Sequence, residues 1–117
     1  MEPQPKVCDL SKALARMAGD VGLLRQMVVF FREDAPQYLA RLKCAVAGGD
    51  AVGVQHAAHS LRGMLSMFTA EAAVHVALQL EQMGSAGDLV SAPAQTEELE
   101  NEMSRMLTTL TAEMAEL

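Results

Sequence analysis

The chain has no tryptophan, one tyrosine and three phenylalanines, yet half of its 117 residues are hydrophobic. Aromatic bulk therefore cannot build the core. Leu, Val, Ala and Met must do so, which suits interdigitating helices better than strands, and the nine methionines read mostly as core filler. Positive charge is also scarce: nine Lys and Arg stand against 15 Asp and Glu, a formal net charge of −6. That balance argues against a phosphate-backbone partner, because nucleic-acid binding asks for clustered cations. No apolar run approaches the ~18 residues that span a bilayer. The opening Met1-Glu2-Pro3-Gln4-Pro5-Lys6 has no signal-peptide apolar region, so the chain reads as cytoplasmic with no membrane contact. Two cysteines, Cys8 and Cys44, are too few for a disulfide scaffold and have no metal-ligand spacing. Both are expected reduced, with Cys44 partly buried. Internal repeats, low-complexity tails and a Gly-rich nucleotide loop are all missing from the sequence, which excludes autophosphorylation from an ATP site of its own.

What the sequence does contain is helical periodicity, and no segment alternates with period two. Its length fits one domain; residues 1–8 read as a tail and 9–117 as the folded unit. Asp9 can cap a short helix running to Ala18, interrupted by Gly19-Asp20. Asp20 caps a second helix with Val21, Leu24, Met27, Val28 and Phe31 on one stripe. Pro36, following Glu33-Asp34-Ala35, predicts a kink or a restart capped by Asp34. The pattern resumes through Leu39, Leu42 and Val46 and stops at Gly48-Gly49. Asp50 caps the next helix, expected to reach about Phe68. Thr69 is expected to open the following one, which carries Val74, Ala77, Leu78 and Leu80-Glu81 and ends at Gly84. A loop from Gly84 to Pro93 leads to a last helix striped by Leu99, Met103, Met106, Leu110, Met114 and Leu117. The fold class is all-α. Four long helices with one apolar face each make, most simply, an up-and-down four-helix bundle with a short additional N-terminal helix at one end.

One helix carries chemistry on its outer side. At about 100° per residue, Val54, Ala57, Leu61, Met64, Leu65 and Phe68 share one side, and His59 points roughly opposite. Gln55, Arg62, Gly63 and Ser66 flank it one turn away. His56 and His59, at i and i+3, are too few to hold a metal, with no further ligand spaced to complete a set. A convex helix surface offers no pocket for acid–base catalysis. Phosphoryl transfer through the imidazole itself fits better. It needs a neutral ring with one nitrogen free, a cation (Arg62) to offset phosphate charge, and open access. Gly63 supplies the access by lowering the surface, at a helix cost of about 1 kcal/mol relative to Ala. Met67, at the edge of the histidine face, is a candidate for a soft docking patch. His56 and His75 read as ordinary surface residues.

Ala58-His59-Ser60-Leu61-Arg62-Gly63 resembles the His-x-Leu-Lys/Arg-Gly signature of histidine-containing phosphotransfer (HPt) domains. The resemblance extends through Leu23-Leu24 to Phe31, Glu33-Asp34-Ala35-Pro36, Ala47-Gly48-Gly49-Asp50, Ala70 and Leu80-Glu81. It implies that His59 is the phosphoacceptor through Nε2, that Arg62 lies near the phosphoryl group, and that Gly63 is the glycine of close approach. Glu81 matches a position where the family often has Gln or Glu bonding the imidazole. Two departures stand out: Met64 and Leu65 replace the small residues that usually follow the glycine, and Thr69 stands where a glycine is common. The implied role is a phosphorelay carrier, not an enzyme, monomeric, taking a phosphoryl group from one receiver-domain aspartate and giving it to another. Its partners would be response-regulator receiver domains and a cognate histidine kinase. No cofactor of its own is expected, the receiver bringing the divalent metal. Two alternatives stay open: a chemotaxis-type substrate domain phosphorylated directly by an ATP-binding kinase domain, and a helical adaptor without chemistry.

Overall fold

Three aspartates start three of the helices. In a computed structural model that describes residues 8–116, the order is α1 (Leu10–Arg16), α2 (Val21–Ala47), α3 (Ala51–Ser66), α4 (Glu71–Ala86) and α5 (Ala92–Met114). Asp9, Asp20 and Asp50 each accept a bond from the backbone N–H three residues on, Lys12 at 3.2 Å, Leu23 at 3.0 Å and Gly53 at 3.0 Å. Each satisfies one of the donors a helix start leaves unpaired. Pro93 occupies the first turn of α5, where its missing N–H costs nothing. Residues 1–7, the greater part of the expected tail, lie outside the described residues, as does Leu117 of the last stripe. Cys8 is fully buried, so folded structure begins before residue 9.

The ends of α1 to α4 share one turn. A backbone N–H reaches back five residues, Gly19 to Leu14, Asp50 to Ala45, Ala70 to Leu65 and Asp88 to Met83. The residue before each donor takes positive φ: Ala18 (54°), Gly49 (67°), Thr69 (53°) and Gly87 (72°). This is the Schellman ending, in which glycine is the unstrained choice. Two of the four positions lack it. Thr69 is therefore part of the stop of α3, not the start of α4, which begins one residue after Ala70. Likewise α1 ends at Arg16, short of Ala18. Thr69 is doubly awkward: it is β-branched in a left-handed conformation, and its buried Oγ1 has no hydrogen-bond partner among the described residues.

Other boundaries also differ from expectation. Pro36 neither breaks nor restarts α2, which runs unbroken for 27 residues, and Asp34 is not a cap. Pro36 is exposed, so the Arg32 carbonyl it leaves unpaired lies on the solvent side, and the Gln37 side chain donates to the Glu33 carbonyl at 3.2 Å. Gly84 does not end α4. It is buried inside the helix, where a Cβ would lie 2.5 Å from the Gln55 backbone N and 2.7 Å from the Ala51 carbonyl O. Gly84 is thus where the backbones of α3 and α4 meet, and the loop before α5 is shorter than expected. Cys44 is exposed, because it lies on the opposite side of α2 from Leu42.

The core is one cluster drawn from all five helices. Leu24, Val28 and Phe31 of α2 face Val54, Leu61 and Leu65 of α3, Leu80 of α4, and Leu99, Met106 and Leu110 of α5, each at most 3% exposed. Met64, placed with this stripe, is only half-buried, whereas Ala58 beside His59 is fully so. Phe31 and Phe68 meet edge to face, centroids 5.4 Å apart. Helix α2 packs on α3 and α5, and α4 packs on α3 and α5, closing a ring of four neighbours, with α1 against α2. The α3–α4 seam is the most extensive of these contacts. Arg16 of α1 donates to the Ser66 carbonyl at 2.8 Å and the Asp9 N–H to the Phe68 carbonyl at 2.9 Å, seating α1 at the end of α3.

Two substitutions test this account. Gly84→Ala forces a methyl group into backbone atoms that cannot rotate away, and is expected to destabilise by about 1–3 kcal/mol in denaturant titration. Thr69→Gly relieves the left-handed strain and the buried hydroxyl, and is expected to stabilise by about 1 kcal/mol. An unchanged melting temperature in calorimetry would contradict the latter.

Candidate functional site

The close approach at Gly84 determines what the next turn of α4 can touch. One turn back along α4 is Glu81, and one turn on from Gln55 along α3 is His59. The two helices run close enough for their side chains to meet directly. His59 Nδ1 lies 2.8 Å from Glu81 Oε1. Arg62 Nε donates to Glu81 Oε2 at 2.6 Å, and its Nη2 lies 3.5 Å from Oε1 and 3.2 Å from His59 Nδ1. The imidazole side chain is 65% exposed while the carboxylate is only 18% exposed, with Arg62 between them at 34%. The carboxylate is therefore embedded in the seam, and the ring stands over it in solvent.

This geometry decides where the imidazole proton sits. The Arg62 hydrogen bond holds the Glu81 carboxyl below the usual carboxylate range, partial burial opposes this, and the His59 bond adds to the lowering. An ionised carboxylate only accepts, so the 2.8 Å contact makes Nδ1 the donor. In the neutral ring the lone pair then resides on Nε2, on the solvent side. With Nδ1 protonated, the nearby Nη2 is a crowded neighbour of like polarity and not a donor to the ring. What remains is an oriented, exposed imidazole anchored through one of its two nitrogens.

The other expected site residues are distributed around it. Gln55 is half-buried and Gly63 exposed, and a Cβ built on Gly63 would meet nothing within 4 Å. The fold itself therefore does not require glycine there. Ser66 turns its hydroxyl back onto the Arg62 carbonyl at 2.7 Å, so its oxygen serves the helix as much as the surface. Met67 lies at the end of α3 and lines a hollow with Met27, Phe30, Phe31, Asp34 and Met64. Of these, Phe30 was not legible as a candidate. It is 54% exposed beside the core stripe of α2, and the available signal was its being an aromatic off-stripe in a chain poor in aromatics. Arg41 stacks on Tyr38 at 5.0 Å in a second cleft between α2 and α3, lined also by Cys44, His56 and Ser60 but not by His59. His56 is exposed, and the exposed His75 has its Nε2 3.2 Å from Gln79 Nε2 of its own helix. Among the described residues no group of three or more His, Cys, Asp or Glu converges as a metal site. No described helix is long and apolar enough to cross a membrane.

The His59 imidazole is thus held through Nδ1 and exposed to solvent on a helical domain. The Hpt domain model matches residues 26–109, and the chain belongs to that family of phosphotransfer carriers in two-component signalling. Its fold is similar to the crystal structure of histidine-containing phosphotransfer protein B (HptB) from Pseudomonas aeruginosa PAO1. That likeness has a TM-score of 0.88 at 24% sequence identity, covering 97% of this chain and 99% of the other. No curated protein matches the sequence closely enough to count as a relative. Membership implies exchange with receiver domains and kinases.

The Glu81 contacts carry a pH signature. A carboxyl held below its unfolded value stabilises the fold above the ordinary carboxylate range, and that contribution is lost as pH falls through the folded-state value. The Glu81 carboxyl carbon is accordingly expected to titrate in NMR below the ordinary carboxylate range. Arg62→Gln removes the largest cause and should move it upward.

Proposed function

We propose that this domain is a phosphorelay intermediate, taking a phosphoryl group on His59 Nε2 from the aspartyl phosphate of one receiver and giving it to the aspartate of another. The observation that carries the reading is the bond from Nδ1–H to an ionised Glu81, which leaves the Nε2 lone pair facing solvent. In the forward step that lone pair attacks phosphorus. The P–Nε2 bond forms as the P–O bond to the aspartyl group breaks, and the carboxylate leaves with the electron pair. The ring becomes positive while it holds both phosphorus and the Nδ1 proton, and Glu81 faces that charge. Arg62 offsets the phosphoryl charge. The receiver supplies the divalent metal, so the domain's own part is positioning.

Gln55, Gly63, Ser66 and Met67 form the docking surface in this reading, with Gly63 providing the close approach. The open space over Gly63 supports that role, since nothing inside the fold explains the residue. The domain acts as a monomeric carrier and not as an enzyme. Its four long helices form an up-and-down bundle with α1 against one end. The short connections and the closed order of helix neighbours support this arrangement.

The test is to incubate the chain with a phosphorylated receiver and, separately, with a chemotaxis-type kinase core and ATP. Acid-labile, base-stable label is expected from the receiver and absent in His59→Gln. Label only from the kinase core would replace the relay by direct phosphorylation, and label from neither would leave an adaptor. Gly63→Ala is expected to separate stability from exchange. It should stabilise α3 by up to about 1 kcal/mol while slowing transfer on the order of tenfold, if a partner loses about 1.4 kcal/mol of contact there. Unslowed transfer in that variant would remove Gly63 from the docking surface.

A further inference from the structure

The cation expected at the phosphoryl group is engaged elsewhere. Arg62 spends its Nε–H on Glu81 Oε2 at 2.6 Å and holds Nη2 at 3.2 Å from Nδ1, the ring nitrogen that faces away from the reacting one. The guanidinium therefore lies on the Nδ1 side of the imidazole, over the α3–α4 seam, while Nε2 points to solvent.

We propose that Arg62 is a two-position cation: clamped on Glu81 while His59 is unmodified, and transferred to the phosphoryl oxygens once Nε2 is phosphorylated. This rests on His59 being the phosphoacceptor. The driving force is a charge count at fixed atoms. In the form that can attack phosphorus the ring is neutral, and one carboxylate is shared between one cation and a neutral N–H donor. Forming the P–Nε2 bond with the proton kept on Nδ1 makes the ring cationic. Nη2, 3.2 Å from Nδ1, then faces a like charge, while Nδ1–H becomes a charge-assisted donor to Oε1 and competes with Arg62 for the same carboxylate. At the same moment a phosphoryl dianion appears on the opposite ring nitrogen, a better bidentate acceptor for a guanidinium than a carboxylate already engaged. The repulsion and the new attraction act in the same direction. Arg62 is 34% exposed, so its side chain borders solvent at the edge of the seam.

When the phosphoryl group departs, the ring becomes neutral and the carboxylate reclaims Arg62. The clamp thereby makes the cation available to the bound phosphoryl group and removes it from the empty nucleophile. Arginine suits both positions because its fork can hold Glu81 through Nε and Nη2 together. A lysine would offer a single point charge.

The whole domain, labelled with nitrogen-15, can be phosphorylated by phosphoramidate, a small donor that needs no protein partner. Phosphorus-31 NMR reports the phosphohistidine, and the Arg62 Nε–Hε resonance reports the clamp. The expected result is a protected, downfield Hε signal in the unmodified domain that moves when His59 is phosphorylated and returns on hydrolysis. An Hε signal unchanged beside a full phosphohistidine signal overturns the exchange and leaves the carrier reading intact. The absence of any phosphohistidine signal overturns both. A second readout is the pH titration of the phosphoryl resonance. Arg62→Gln is expected to shift its midpoint upward, because a cation on the phosphoryl oxygens favours the dianion, and an unshifted midpoint in a variant of unchanged helicity contradicts the contact.

Discussion

The Glu81 carboxylate joins two helices and two side chains, one of them the exposed imidazole of His59. It sits 18% exposed in the seam between α3 and α4, accepting from Arg62 on one oxygen and from His59 on the other. A carboxylate so placed would be costly without partners, because burial disfavours its charge. Arg62 supplies the compensation, and the remaining acceptor capacity is spent on orienting the ring. The contact is possible because Gly84, one turn further on, brings the α4 backbone against Ala51 and Gln55. The ring's orientation therefore traces back to an absent methyl group on a neighbouring helix.

The domain asks little of itself chemically. Its site is a convex surface with an exposed ring, a cation whose position is set by the same carboxylate, and an open space over Gly63. The machinery that would polarise a phosphoryl group, including any divalent metal, belongs to the partner in this reading. Such a division of labour suits the proposed relay, in which the domain accepts and donates with equal ease, since a pocket that stabilised a phosphohistidine would impede its departure. The mobile cation proposed for Arg62 fits the same requirement, because the charge that supports the phosphoryl group has a second resting place when that group leaves.

Much of this was legible in the chain. The caps at Asp9, Asp20 and Asp50 were readable because an N-cap is local: a carboxylate and a backbone N–H three residues away. The stripes on α2, α3 and α5 were readable because burial follows the helical period, and the same phasing left His59 outside. Misreadings fell where a local signal competed with tertiary context. Pro36 resembles a break, yet α2 gains enough from burying Leu24, Phe31 and Leu42 to run through it. Gly84 resembles a stop, yet serves close packing. Thr69 resembles a cap, yet occupies a left-handed stop that another helix end requires.

The sequence by itself determined the helical class, the exposure of His59 and the presence of Arg62 and Gly63 one turn on, because all of these are properties of one helix and its 3.6-residue repeat. Glu81 entered from a family likeness and not from any spacing, since 22 residues separate it from His59. Only the tertiary structure decided that the carboxylate reaches Nδ1, that Arg62 bonds it in preference to standing over Nε2, and that Gly84 makes both possible. Those facts depend on how near two backbones come and in what register they cross. Distances between segments are set by packing across the core, which no periodicity along the chain encodes.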